Sequence, residues 1–365
     1  MSAPINKYSS KDSSPRRWII IIILIVILVA AAGFAGYAWY TSQKNGDHTT
    51  FVDGFTGPKA PPALHYYCPL DGTEVPNRAA ATVRPIVFQV DNAPAARNQA
   101  GLSKADIVYE AMAEGDVTRF SAVFACHEAD VVGPIRSARL IDLELVPEYQ
   151  ALLSNSGSSE EVTAALEAAP DVPNINDNGF HDIAFWRADD RIAPHDLMSS
   201  TLGVRKAAAS VDHGLTASLA SLTFKEDSPA PAVNIISVPY SAVVDVGYTY
   251  DPASNGWLRF NGGAAHMDAE TGRQLAPKNV IIQFVPSHES DIVEDAGGNR
   301  GVEYTLTGSG KALVFRDGQL IQGTWSRANR GDVTQYFDAS NKPIALNRGL
   351  TFVQLVDTNF QASWS

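Results

Sequence analysis

RPIVFQVDNAPAARNQAGLSKADIVYEAMAEGDVTRFSAVFACHEADVVGPIRSAR, residues 84–139, is the stretch on which the predicted fold depends. Its first apolar run, Pro85 to Val90, is short and rich in β-branched residues, which is typical of a buried strand. The run leads directly into Asp91 and Asn92. Because burying polar groups without a partner is unfavourable, polar residues at the end of a buried strand indicate a pocket.

A hairpin is predicted next along the chain. Two apolar runs, Ile107 to Ala113 and Val117 to Ala125, are separated by Glu-Gly-Asp, and the Gly-Asp pair favours a tight turn between antiparallel strands. A helix over Ser103 to Met112, capped by its first serine, is the alternative. Glu110 and Glu114 share a face in both cases, since a separation of four residues fits both periods.

Helices are predicted beyond this hairpin. Pro134 suits the first turn of a helix, in which Arg136 and Arg139 would lie on one face. Two more helices are expected, one over residues 158–169 between a serine cap and a proline stop, and one over residues 201–209. Strands mixed with helices predict an α/β, or mixed α+β, domain, and we place its bounds at residues 81–226.

The pattern changes after residue 231. Short strand candidates follow one another over residues 232–365, and Asp317-Gly318 between two of them predicts a hairpin. No convincing helix is found there, so we predict a smaller β-rich domain of the sandwich or barrel type. Residues 41–80 contain many glycines and prolines and are expected to form a linker.

A membrane anchor is predicted near the N-terminus. Trp18 to Tyr40 are 23 residues without a charge, and as a single transmembrane helix they would measure about 34 Å, enough for the hydrocarbon core of a bilayer. Basic residues are concentrated in residues 1–17, which favours a cytoplasmic tail and an extracytoplasmic location for residues 41–365. A cleaved signal peptide is the alternative, although its apolar region is normally shorter.

Composition limits the possible functions. Apolar residues make up 45% of the 365 residues, which is typical of a globular protein. The formal net charge of −12 makes non-specific binding to nucleic acid unfavourable, and none is expected. The two cysteines, Cys68 and Cys126, could form one disulfide, or Cys126 could be a buried thiol.

Metal and cofactor motifs are incomplete. His127-Glu128 is not followed by a second histidine at the spacing of a zinc-protease helix. The segment from Asn174 to Gly179 imitates the start of a calcium loop, but Phe185 stands where the closing glutamate is required. A dinucleotide-binding fingerprint is also lacking. We therefore predict no metal and no cofactor.

The polar residues of this region allow three interpretations. Glu110 and Glu114 could act as a general acid and its partner, as in enzymes that cleave glycans, with His195 as a proton carrier. Arg136 and Arg139 could instead grip a carboxylate or a phosphate through bidentate contacts. Residues 84–139 contain six basic and seven acidic side chains, so the same groups could instead neutralise one another in a buried ion-pair network.

Several separated motifs resemble those of the YerB-like lipoprotein family, which is defined by a two-part domain of unknown function (DUF3048). They are Asp91-Asn92, Glu110, Glu114 to Arg119, Gly133 to Arg139, Ala193-Pro194-His195, Asn279 to Gln283 and Gly323 to Ser326. The resemblance covers residues 81–360 and implies an extracytoplasmic protein of unsettled activity. Many members carry a lipid-anchored cysteine, whereas no cysteine closely follows the apolar run here. The matching positions nominate one shared site: Asp91, Asn92, Arg97, Arg119, Arg136 and Arg139 as ligand-binding residues, and Glu110, Glu114 and His195 as catalytic candidates.

Three functions are compatible with these features. The leading hypothesis is a membrane-anchored binding module for a glycan or anionic ligand of the cell envelope. A hydrolase or transferase acting on cell-wall polymers is the first alternative, with Glu110 or Glu114 as acid/base and the arginines as an anion clamp. A scaffold that docks protein partners through residues 232–365 is the second. The sequence leaves open whether the protein is an enzyme.

Overall fold

Strands carry most of the architecture. The structure, a computed structural model, describes residues 64–295 and 297–365. Of these residues, 40% lie in strands and 14% in helices. The predicted α/β class is therefore wrong: the fold is mainly β, and its helices are short additions to the sheets.

The elements of the described residues are numbered along the chain. The α-helices are Asp142–Glu148, Glu160–Glu167, Asp177–Ala184 and Thr201–Ser210, and the 3-10 helices are Ala80–Thr82, Pro94–Ala96 and Leu102–Lys104. The strands are β1 (Tyr66–Tyr67), β2 (Glu74–Val75), β3 (Ile86–Asp91), β4 (Ile107–Met112), β5 (Thr118–Phe124), β6 (Leu152–Asn155), β7 (Asn174–Asn176), β8 (Phe185–Arg187), β9 (Leu197–Ser199), β10 (Phe224–Lys225), β11 (Ile235–Pro239), β12 (Asp245–Asp251), β13 (Gly256–Asn261), β14 (Ala264–Ala265), β15 (Met267–Asp268), β16 (Arg273–Gln274), β17 (Asn279–Val285), β18 (Ser287–Val293), β19 (Arg300–Tyr304), β20 (Gly308–Arg316), β21 (Gln319–Arg327), β22 (Gln335–Asp338), β23 (Leu346–Asn347), β24 (Thr351–Asp357) and β25 (Ser363–Trp364).

A central mixed sheet of ten strands has the order β22-β21-β20-β17-β24-β4-β5-β3-β6-β7. β24, near the C-terminus, pairs in parallel with β17 on one side and with β4 on the other, where Gln354 lies opposite Glu110. β5 is antiparallel to both β4 and β3. The sheet thus combines strands from residues 81–226 with strands from residues 232–365, and the domain boundary between these segments stays a prediction.

Both faces of the central sheet are covered. On one face, a five-stranded sheet of order β14-β13-β12-β11-β25 packs through Tyr248 and Trp257 against a core that contains Phe120. On the other face, Leu145 and Val146 of the first helix pack with strand residues. The sandwich or barrel predicted for residues 232–365 is wrong, because five of its strands join the central sheet, where β24 pairs with β4.

Local turn signals succeeded where a helix signal failed. The predicted hairpin is confirmed by β4 and β5, and Asp317 with Gly318 connects β20 to β21 at φ angles of 54° and 71°. The helix predicted from Pro134 is wrong in its first turn. Pro134 O accepts from Asp91 N, and Arg136 N donates to Gln89 O, both at 2.9 Å, so this segment runs beside β3. The helix begins only at Asp142.

The N-terminal predictions fall mostly outside the described part of the chain. The predicted transmembrane helix, Trp18 to Tyr40, and the tail at residues 1–17 lie there. In residues 64–295 and 297–365 no helix has the length and apolar character needed to cross a membrane, so this part of the predicted fold class has no support. Residues 64–80 are folded: β1 pairs with β2, and Cys68 forms a disulfide with Cys126.

Candidate functional site

The end of β3 supplies two adjacent polar residues to opposite faces of the sheet. Asp91 is the last residue of this buried strand and Asn92 follows it. Successive strand residues point to opposite faces. Asp91 Oδ2 lies 2.8 Å from His195 Nδ1 and 3.1 Å from Arg136 Nε. Asn92 instead donates to Glu110 Oε1 at 3.1 Å. Two separate polar clusters therefore begin at neighbouring residues.

Glu110 is the centre of the cluster that begins at Asn92, which we call the first cluster. Its side chain has 0% exposure, and Oε2 accepts a hydrogen bond from Arg259 Nη2 at 2.6 Å. Oε1 accepts from Asn92 at 3.1 Å and from Thr118 Oγ1 at 2.8 Å. Both carboxylate oxygens are thus engaged by protein groups. This geometry favours the ion-pair interpretation of Glu110 over an acid–base role.

Arg259, the partner of Glu110, was missed by sequence analysis. It lies on β13 between Leu258 and Phe260, whose apolar side chains suggest the opposite alternation, yet Arg259 points inward and is fully buried. Its guanidinium carbon lies above three aromatic rings, at 5.3, 5.8 and 5.5 Å from the centroids of Phe120, Tyr248 and Phe352. These rings compensate part of the solvation that the cation has lost.

His266 completes this cluster as a neutral group. Burial, followed by the positive charges of Arg259 and Arg97, lowers the pKa of His266 well below its ordinary value. Its Nδ1 accepts a hydrogen bond from Arg259, so Nε2 carries the proton and donates to Gln99 Oε1 at 2.5 Å. The amide of Gln99 in turn donates to Asn92 Oδ1 at 3.2 Å. This chain of bonds ties β13 to the end of β3.

Glu114 belongs to a second buried ion-pair cluster. Arg119 Nη2 donates to its Oε1 at 3.0 Å, and Arg139 Nε donates to its Oε2 at 2.7 Å. Arg139 also lies 3.4 Å from Glu294, a residue that sequence analysis missed. Burial by itself raises the pKa of Glu114, but the hydrogen bond from Arg139 and the charges of both arginines outweigh it and lower the pKa to about 2. Glu114 is therefore ionised at neutral pH and holds no proton to donate.

The third cluster, formed by Asp91, His195 and Arg136, reaches the surface. Asp91 has a side-chain exposure of 3%, whereas His195 is 21% and Arg136 is 29% exposed. Because Asp91 is a carboxylate acceptor, the 2.8 Å contact makes Nδ1 of His195 the donor. Nε2 of this ring forms no hydrogen bond with the described residues. Asp91 thus fixes the orientation of a histidine whose other nitrogen is available.

A cavity of about 500 Å³ adjoins His195; its wall is formed by Ala95, Arg97, Asp190, Arg191, Ile192 and His195. Arg97 Nη2 donates to Asn92 O at 3.3 Å, and Arg191 donates to Ala96 O at 3.0 Å and to Asn98 O at 2.5 Å. Within the described part of the chain, neither guanidinium forms an ion pair with a carboxylate. We call this cavity the arginine pocket.

A larger cavity, of about 610 Å³, lies between residues 218–221 and 326–337. Its arginine, Arg327, has 0% side-chain exposure and lies 3.2 Å from Glu148. A guanidinium that is already neutralised attracts an anion less than one held only by carbonyl groups. The arginine pocket is therefore the better candidate for a ligand site, although it is smaller.

The nine residues predicted for the site all lie near the ends of β3, β4 and β5, but the structure divides them. Asn92 and Glu110 belong to the first cluster, Glu114, Arg119 and Arg139 to the second, Asp91, Arg136 and His195 to the third, and Arg97 to the arginine pocket. Arg191 was missed because nothing in the sequence separates it from the nearby Arg187, which pairs with Asp196 at 2.5 Å.

Two family models cover most of this architecture. The model described as "Protein of unknown function (DUF3048) N-terminal domain" matches residues 70–214, and the corresponding C-terminal domain model matches residues 236–353. The chain belongs to the DUF3048 family. The resemblance inferred from the separated motifs is thereby confirmed.

One relative, YerB of Bacillus subtilis, extends the comparison of this DUF3048 protein in sequence and in structure. "Putative lipoprotein YerB" of Bacillus subtilis (strain 168) is 33% identical over 297 residues, which cover 79% of this chain and 85% of the relative. The crystal structure of the YerB protein from Bacillus subtilis superposes with a TM-score of 0.72 at 31% identity, covering 82% of this chain and 99% of that chain. The fold described above is therefore shared with an experimentally determined structure.

Proposed function

We propose that this DUF3048 protein is an extracytoplasmic, membrane-attached protein that binds an anionic glycan of the cell envelope in the arginine pocket. The location is supported by the name of its relative, a lipoprotein. It is also supported by the Cys68–Cys126 disulfide, since disulfides persist mainly in oxidising environments outside the cytoplasm. The ligand class is supported by the pocket itself.

The pair formed by Arg97 and Arg191 carries the proposal. Backbone carbonyls fix both guanidinium groups but do not neutralise them. Burial lowers the pKa of Arg97, because the charged guanidinium has lost part of its contact with water. The remaining N–H donors of an arginine fork match the two oxygens of a carboxylate or phosphate. Asp190 also lines the pocket, but among the described residues no ion pair joins it to either guanidinium, so a bound anion would pair with both arginines.

Asp91 and His195 add a second recognition element. The Nδ1–H of His195 is held by Asp91, and Nε2, when it carries no proton, accepts a hydrogen bond from a sugar hydroxyl. Arg136, at 3.1 Å, balances the charge of Asp91, which therefore does not cancel the field of the arginine pair. A pocket with donors for an anion and an acceptor for a hydroxyl suits an acidic sugar.

Calorimetric titration of the full chain tests the proposal. The ligand is the disaccharide GlcNAc–MurNAc, whose lactyl group carries a carboxylate, and the matched neutral ligand is chitobiose, which lacks it. A charge-assisted hydrogen bond contributes about 1.5–3 kcal/mol, so we expect chitobiose to bind at least about tenfold more weakly. Equal affinity for the two disaccharides would contradict the proposal.

Variants locate the binding. Arg97→Gln and Arg191→Gln should each weaken the binding of GlcNAc–MurNAc. Arg78→Gln is the matched control, because Arg78 is exposed and its side chain forms no hydrogen bond with the described residues. A loss in the control as large as in Arg97→Gln would show that the effect comes from net charge and not from the pocket.

Catalysis on wall polymers is not part of the proposal. Such an enzyme was predicted to use Glu110 or Glu114, and both carboxylates are buried and paired with arginines. No observation on residues 64–295 and 297–365 favours a scaffold that docks proteins. Binding in the arginine pocket is the function that the geometry supports best.

A further inference from the structure

A different polar cluster lies beside the disulfide, away from the arginine pocket. Asp71, Asp106 and His127 come from three separate segments, and one oxygen of each carboxylate and one imidazole nitrogen lie within 4.8 Å of one another. His127 Nε2 is 2.8 Å from Asp71 Oδ2 and 3.9 Å from Asp106 Oδ1. Three potential metal ligands therefore converge on one small volume.

The charges of this cluster are not balanced. The side-chain exposures of Asp71 and Asp106 are 3% and 0%. No lysine or arginine in the described ranges forms an ion pair with either, so His127 is their basic partner. While both buried carboxylates are ionised, one imidazole can balance only one of them, and an unbalanced charge is unfavourable away from water. A divalent cation would balance both carboxylates.

One oxygen of Asp106 gives independent support. Oδ2 accepts from Ala125 N at 2.6 Å and from Cys126 N at 3.4 Å. Oδ1 faces Cys68 Sγ at 3.0 Å, but this sulfur belongs to the disulfide and carries no hydrogen. Among the residues that the structure describes, Oδ1 is thus a fully buried acceptor without a donor, and it lies 3.9 Å from His127 Nε2. Buried polar atoms normally have a partner, so this one indicates a positively charged ligand.

We propose that Asp71, Asp106 and His127 bind a divalent transition-metal cation of the Zn²⁺ type. Two carboxylate oxygens and one imidazole nitrogen are a donor set that Zn²⁺ accepts, and a water completes four-fold coordination. His127 is 38% exposed and lines a cavity of about 410 Å³, which gives the ion access from solvent.

The surroundings favour such a site. Lys104 lines the same cavity, but its ammonium group forms an ion pair with Glu270 at 2.7 Å. This pairing weakens the repulsion between Lys104 and a bound cation. The disulfide links Cys68, three residues before Asp71, to Cys126, directly before His127. It thereby fixes two ligand-bearing segments relative to each other. Sequence spacing could not reveal the site, because Asp71 and His127 are 56 residues apart.

Calorimetric titration of the metal-free full chain with ZnCl₂ tests this proposal. Loss of residues that only support metal ligands typically weakens binding 10–100-fold, so loss of a ligand in Asp71→Asn or His127→Gln should weaken Zn²⁺ binding at least about tenfold. His181→Gln is the matched control. His181 pairs with one aspartate, Asp177, at 2.5 Å, without a second carboxylate from the described residues, and its loss should leave the affinity unchanged.

Two results would overturn the proposal. One is a wild-type chain that binds no Zn²⁺, and the other is an equal loss of affinity in His181→Gln and His127→Gln. If circular dichroism shows that the variants do not fold, X-ray absorption of the Zn²⁺-loaded wild type decides. We expect one imidazole and otherwise oxygen ligands, and sulfur ligands or the absence of an imidazole would rule the site out.

Discussion

Removing the guanidinium of Arg259 should strongly destabilise the fold, because the carboxylate of Glu110 would remain buried without its cation. The two side chains both have 0% exposure and their charged atoms lie 2.6 Å apart. Removal of one partner from a buried pair costs about 3–5 kcal/mol. We expect Arg259→Gln to lose stability in this range, since the variant also gives up contacts with three aromatic rings.

Urea denaturation monitored by circular dichroism measures this loss as a lower transition midpoint at an unchanged slope. Glu110→Gln combined with Arg259→Met should recover much of the stability, because the double variant buries no charge at this position. The comparison of single and double variants isolates the interaction between the two residues. It also tests whether the buried, unpaired charge of Glu110 is what destabilises the Arg259→Gln variant.

Arg300→Gln is the control for this experiment. Arg300 forms an ion pair of 2.9 Å with Asp291 on the surface, where both groups are solvated, so its removal should leave the midpoint unchanged. The reasoning is refuted if Arg259→Gln loses less than about 1 kcal/mol, or if the double variant is as unstable as the sum of the two single variants.

Two other predictions concern stability. The pKa of Glu114 is lowered to about 2 in the folded protein from an ordinary value of 4.5, so its contribution is fully present above about pH 4.5 and is lost as the pH falls toward 2. The stability difference between the wild type and Glu114→Gln, measured by urea denaturation from pH 7 to pH 3, should therefore shrink on acidification; a difference that grows would contradict this assignment. Replacing Cys68 and Cys126 together by serine removes a cross-link over 58 residues and should lower the free energy of unfolding by about 4 kcal/mol. Denaturation of the oxidised wild type beside the double variant measures this loss, and equal midpoints would show that the cross-link is dispensable.

The elements whose structure depends on near neighbours in the chain follow from the sequence. Asp317 and Gly318 adopt positive φ angles in the turn that their residue types favour. The buried strand before Asp91 follows from its own apolar pattern. Pro134 shows the limit of local patterns. Its position suits the start of a helix, yet its carbonyl oxygen accepts a hydrogen bond from Asp91 of β3, 43 residues earlier in the chain.

Contacts between distant residues decided the rest. β24 joins the sheet beside β4, and Arg259 reaches Glu110 from a position 149 residues away. No local period contains this information, so the sequence indicated that Glu110 is part of a polar cluster without revealing its partner. The same holds for Arg191, whose role depends on the loop at residues 96–98 that its guanidinium contacts.

The structure of a crystal of the full chain, soaked with GlcNAc–MurNAc, tests the central claim most directly. The account predicts the lactyl carboxylate between the guanidinium groups of Arg97 and Arg191, with a sugar hydroxyl near Nε2 of His195. A disaccharide bound elsewhere on the protein, or an arginine pocket that contains only solvent at a saturating ligand concentration, would contradict it.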